Sequence, residues 1–98
     1  MDFRVDALLS MQRALWDVVT PGLRGVAVRL ETDELSARFL FDHDPDDEDL
    51  EDVSLAETSV IADFPSDLTV SLNAIELQVG SPRALLPGEE WVYLRKEA

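Results

Sequence analysis

The sequence predicts an α+β domain, a two-layer sandwich with two helices on one face of a mainly antiparallel four-stranded sheet, in the order α-β-β-α-β-β. Three observations carry that expectation. Two segments place apolar residues at three-and-four spacing, four others show strand-length apolar alternation or clustering, and turn-forming residues stand between them. Helices packed on one side of a sheet bury both apolar stripes in a single interface.

Residues 3–19 form the first helical pattern, with Leu8, Met11, Leu15 and Val18/Val19 on one face and Gln12, Arg13 and Asp17 off it. Thr20-Pro21-Gly22 ends it, because proline cannot continue the hydrogen-bond ladder and glycine accepts the left-handed turn beyond a helix. Trp16, about one turn earlier, is expected at the edge of the core. In 24–31, Val26, Val28 and Leu30 alternate with Ala27 and Arg29; in the next stretch Ala37, Phe39 and Phe41 alternate with Arg38 and Leu40. That period of two marks two strands, and Glu31-Thr32-Asp33-Glu34 is short enough to join them as a hairpin.

Asp44-Pro45-Asp46-Asp47-Glu48 is a helix start, with Asp44 as the cap, Pro45 in the first helical position and the following acids at the positive end of the helix dipole. The helix is expected over 45–62, with Leu50, Val53, Ala56, Val60, Ile61 and Ala62 as its apolar set and Phe64-Pro65 as its stop. From Leu68 to Val79 the apolar parity changes from even to odd, which predicts a bulge or bend near Asn73-Ala74. Residues 80–88 read as a loop and Trp91-Val92-Tyr93-Leu94 as a short last strand. No repeat or linker divides the chain, so residues 1–98 are expected to form a single domain.

With 46% hydrophobic residues, the 98-residue chain can fold around one core. It has no cysteine, which excludes disulfides, thiolate metal sites and a cysteine nucleophile. The start of the sequence lacks a basic segment followed by an apolar stretch, and no apolar run is long enough to span a bilayer. A cytoplasmic location is therefore expected.

Twenty-one acids against eight bases give a formal charge of −13, a sign that repels nucleic acid and anionic membranes and favours a basic partner. Solubility alone could account for such a balance, but not for its distribution. Asp42, Asp44, Asp46, Asp47, Glu48, Asp49, Glu51 and Asp52 put eight acids within eleven residues. Capping and dipole compensation use two or three; the remainder repel one another, and a basic partner surface would relieve that repulsion. These eight are the candidate partner-binding residues. Because their charge serves a partner, replacing Asp46, Asp47 and Asp49 by Asn is expected to leave the fold intact or to stabilise it slightly by reducing self-repulsion.

The same run fails as a calcium loop, since Asp47 stands where glycine is required and Val53 where a bidentate glutamate is required. Loose attraction of hard cations is all it implies, and no metal or cofactor is expected. His43 is the single histidine and reads as an exposed or hydrogen-bonded residue at a strand end. No serine sits in a Gly-x-Ser-x-Gly context, and four glycines include no phosphate loop. A non-enzymatic role follows.

Four stretches taken in order, Leu23-Arg24-Gly25-Val26-Ala27-Val28, Phe39-Leu40-Phe41-Asp42, Glu57 to Pro65 and Trp91 to Glu97, resemble a family of small acidic bacterial proteins. Some of its members are immunity proteins of contact-dependent growth inhibition and related polymorphic toxin systems. Ala62-Asp63-Phe64-Pro65 and Trp91 to Glu97 are its most specific parts, and Asp42 to Pro45 departs from the glycine-containing turn of the family. The resemblance implies a protein that neutralises a nuclease-type toxin by covering a basic surface with carboxylates. The alternative is a structural or protein-interaction domain with no toxin partner.

Overall fold

The computed structural model describes residues 3–64 and 68–97. The elements are α1 (Phe3–Ala14), β1 (Leu23–Leu30), β2 (Glu34–Phe41), α2 (Asp47–Asp63), β3 (Thr69–Glu76) and β4 (Glu89–Leu94), and the sheet order is β3-β2-β1-β4. β1 pairs antiparallel with both β2 and β4, whereas β2 and β3 are parallel. The sheet is thus mixed. The parallel pair arises because β2 and β3 are joined through α2, which carries the chain back before it re-enters the sheet.

Both helices pack against one side of the sheet. Ala7, Met11 and Ala14 of α1 and Val53, Ala56 and Val60 of α2 share one cluster with Val26, Val28, Ala37, Phe39 and Phe41, the inward residues expected from the alternation. Phe39, Met11, Leu23 and Leu35 are among the largest fully buried side chains, each worth roughly 1.5–3 kcal/mol of transfer free energy. Ser10 donates to Asp63 at 2.6 Å, Arg13 bonds the same carboxylate, and the Phe3 and Phe64 rings meet edge to face at 5.8 Å. These contacts fix α1 against the C-terminal end of α2.

Several local expectations change. α1 stops at Ala14, and the chain continues in tighter turns in which Trp16 and Val18 donate to the carbonyls three residues back. Those turns keep Leu15 and Val18 buried but rotate Trp16 outward, leaving it 76% exposed instead of at the core edge. α2 begins two residues later than expected, because the cap is Asp46 and not Asp44. The Asp46 carboxylate accepts the Asp49 N–H at 2.9 Å and the Asp49 carboxylate accepts the Asp46 N–H at 3.1 Å, a reciprocal capping box. Pro65, the expected stop of α2, lies outside the described residues, as does Ser66.

β3 contains no bulge. Its register with β2 runs unbroken from Glu34↔Thr69 to Phe41↔Glu76. Leu68, Val70, Leu72 and Ala74 face the helices throughout, while Ile75 is exposed and Val79 lies beyond the strand. The parity change therefore marks apolar residues outside the core and no insertion. The irregularities are in β1, where Arg24 is the extra residue between Leu23↔Phe41 and Gly25↔Leu40, and in its pairing with β4.

Ala27 and Leu40, expected to point outward, are fully buried. Residues 77–88 connect the two edge strands, β3 and β4, and so must cross the sheet; Arg24 and Arg38 hold this segment by its carbonyls, at Leu77, Gln78 and Ser81 and at Ala84. The crossing segment and Trp91, opposite Ala27, cover what a simple two-layer reading leaves open. At the two outer edges, helix side chains reach the strand backbone: Glu57 of α2 accepts the Leu72 N–H at 2.9 Å, and Gln12 of α1 donates to the Val92 carbonyl at 2.7 Å. Among the described residues no helix is long and apolar enough to cross a membrane.

Candidate partner-binding site

The acidic run begins where β2 ends and continues into the first turns of α2. The fold divides its members into two groups. Asp42 and Asp49 turn inward onto His43, whose Nδ1 lies 2.8 Å from the Asp42 carboxylate and whose Nε2 lies 2.6 Å from that of Asp49. The Asp42 hydrogen bond and then that of Asp49 push the imidazole pKa up to about 9, so His43 is an imidazolium at neutral pH and donates at both nitrogens. Asp42 also takes a hydrogen bond from Arg95 at 2.8 Å, and this bond, followed by that of His43, holds its carboxyl below the usual range. Burial acts to raise the pKa of Asp49, but bonds from His43 and the Asp46 backbone outweigh it and the net shift is downward.

The second group faces solvent. Asp44, Asp46, Asp47, Glu48 and Glu51 are exposed and Asp52 is half-buried. Asp47 with Glu51 and Glu48 with Asp52 are like-charged pairs four residues apart, adjacent on the helix surface. Burial, then the neighbouring Asp49, Glu51 and Asp46 charges, push the Asp52 carboxyl upward. The repulsion expected from residue density is thus present, but it falls on the outward acids. Asp46 and Asp49 hold the helix start, so they have a structural role that the expectation for the Asp46, Asp47 and Asp49 variant did not include.

His43, Asp46 and Asp49 bring one ligand atom each within 4.8 Å of one another, the one such group among the described residues. Their carboxylates already accept the capping N–H groups and the imidazolium, so a cation could enter only by displacing those bonds.

Residue spacing did not reveal a second cluster, at the ends of β1 and β4. Arg24, 3% exposed, donates through Nε and Nη2 to Glu97 at 2.9 and 3.0 Å and through Nη1 to three carbonyls of the crossing segment. Arg95 bridges Glu97 to Asp42, and Arg83 lies 3.4 Å from Glu97. The Arg24 hydrogen bond is the main cause that holds the Glu97 carboxyl down at about 2. A cleft of about 770 Å³ opens beside Arg24, Arg95 and Glu97, but these groups bond to one another and to the backbone. The sequence signal for this cluster was an arginine interrupting the apolar run at Leu23-Arg24-Gly25-Val26.

Residues 4–97, which take in all six elements except the first residue of α1, match the sequence profile of the MafI2 immunity protein family. The chain belongs to the MafI2 immunity protein family. Comparison with curated proteins gives no match. The match covers nearly the whole chain, the acidic run and the Arg24–Glu97 cluster included, and agrees with the resemblance to polymorphic-toxin immunity proteins.

Proposed function

We propose that this protein binds a cognate toxin directly and blocks it, without catalysis, in the cytoplasm of the cell that makes both. Membership of the immunity family is the observation that supports this reading most. The solvent-facing acids Asp44, Asp47, Glu48, Glu51 and Asp52 supply the contact chemistry, on a helix start that the capping box makes rigid. Asp42, Asp46 and Asp49 act through the local structure they hold. The toxin surface is basic, as in an enzyme that grips a nucleic-acid backbone, and a nuclease is the toxin class we favour. At −13 the chain is drawn to such a surface and repelled by nucleic acid and anionic lipid.

Charge of this kind sets encounter rate more than residence time. The test is to co-purify the protein with the product of its neighbouring gene and to measure association and toxin activity from 0.01 to 0.15 M ionic strength, where the Debye length falls from about 30 to about 8 Å. Association should slow with salt, and an Asp47→Asn, Glu48→Gln, Glu51→Gln variant should start slower and respond less. Absence of any complex rejects the immunity role; a complex whose association ignores salt and the substitutions keeps that role and rejects the acidic site.

A further inference from the structure

The two outer edges of the sheet are protected unequally. At β4 the strand opens with Glu89 and Glu90, its pairing with β1 contains a register shift, and α1 reaches it twice, through Gln12 to the Val92 carbonyl and Arg4 to Glu90. Charge, irregularity and a covering helix are the usual means of blunting an edge. β3 has less of this: Glu57 of α2 meets its backbone at one amide, Leu72. Its eight residues, Thr69 to Glu76, contain no proline, lysine or arginine, and its register is unbroken. No described strand pairs with its outer side.

Backbone direction alternates along a strand, so the hydrogen bonds identify which groups face outward. Thr69 and Leu77 donate to β2-side carbonyls at Asp33 and Phe41, whereas Leu72 donates away from β2, to Glu57. Val70, Ala74 and Glu76 share the parity of Leu72 and present their N–H and carbonyl groups to the same open side. Glu57 engages the central amide of that row. Leu50, Ser54 and Ile61 fall on the same helical face as Glu57, and Leu50 and Ile61 are 50% and 45% exposed, so this face offers one exposed apolar side chain on each side of Ser54 and Glu57.

We propose that β3 is a docking edge onto which an extended, basic segment of the toxin adds as a fifth strand. This deepens the function proposed above and rests on it. Main-chain bonds to Val70, Ala74 and Glu76 supply affinity, alternate side chains of the added strand rest on Leu50 and Ile61 or on Ile75, and its cations meet Glu57 and Glu76. Charge selects this occupant over a second copy of the chain, since two copies would each bring −13 to the same seam.

The experiment is amide-resolved hydrogen exchange on the free protein and on its complex with the product of the neighbouring gene. In the free protein Val70, Ala74 and Glu76 should exchange fast while Ser71, Asn73 and Ile75 are protected; in the complex all six should be protected. Ala74→Pro, which removes an outward N–H and no bond to β2, should keep the fold and weaken toxin binding roughly tenfold or more. Exchange needs no substitution, so it decides the matter even if that variant misfolds. A complex in which the three outward amides stay fast overturns the docking edge and leaves the immunity role standing. Absence of any complex overturns both. Protection of those amides in the free protein at high concentration assigns the edge to self-association and overturns the basic toxin segment.

Discussion

Two double substitutions that remove the same charge from the start of α2 should have very unequal effects on folding. Asp46→Ala with Asp49→Ala, and Asp47→Asn with Glu51→Gln, each delete two carboxylates. In the first pair, Asp46 accepts the Asp49 N–H and Asp49, 6% exposed, accepts the Asp46 N–H. Loss of an N-cap carboxylate costs about 1 kcal/mol, and loss of the reciprocal bond about 1 kcal/mol more, the two being coupled in one small network. At about 4–8 °C per kcal/mol for a domain of this size, a total near 2 kcal/mol lowers the melting temperature by roughly 8–16 °C. In the second pair both residues are exposed, and relief of like-charge repulsion opposes the lost dipole interaction of Asp47. The net change stays within about 0.5 kcal/mol, under about 4 °C. Thermal melting followed by circular dichroism at neutral pH and 0.15 M salt separates the two. If the capping variant melts within about 2 °C of the unaltered chain, or the surface variant falls as far as the capping variant, the division of the acids into structural and outward groups is wrong.

Three other predictions concern the titrating groups. Because the His43 pKa is raised from 6.5 to about 9, its contribution is complete below 6.5 and is lost as pH rises through 9. His43→Gln should therefore melt lower than the unaltered chain at about pH 6, with the gap closing by about pH 10. Glu97 is shifted the other way, from 4.5 to about 2, so its contribution is present above 4.5 and lost as pH falls through 2; Glu97→Gln should flatten the acid limb of the melting profile over that window. A Cβ on Gly22 would lie 2.5 Å from His43 Cε1 and 2.9 Å from Nδ1, and the ring, held at both nitrogens, cannot move aside without losing a carboxylate. Gly22→Ala should lower the melting temperature and return the His43 pKa, read by NMR titration, toward 6.5.

What the sequence made legible depended on how local the cause was. Val26, Val28, Ala37, Phe39 and Phe41 declare two strands and their buried face, because strand alternation is written within each segment. The burial of Ala27 and Leu40 was not legible, since it depends on a segment far along the chain that Arg24 and Arg38 hold across the sheet. The bulge predicted at Asn73 followed a parity rule that assumes every apolar residue is inside; Ile75 and Val79 are not. At the site, the density of carboxylates was plain. Which of them are already engaged was not, because Asp42 finds Arg95 only once β4 lies beside β1.

The strand order also sets a schedule for the chain. β1 is central and is made early, yet one of its two neighbours is β4, so Gly25 must wait for Leu94. Until then a nascent chain can form the β1-β2 hairpin and dock α2 and β3, but one side of β1 stays open and its Val-rich backbone is available to strangers. Pairings so distant in sequence are slow to close. The sheet is therefore complete only once β4 has been made, and a partly synthesised copy cannot present the finished β1 pairing or the Asp42–Arg95 bond that depends on it.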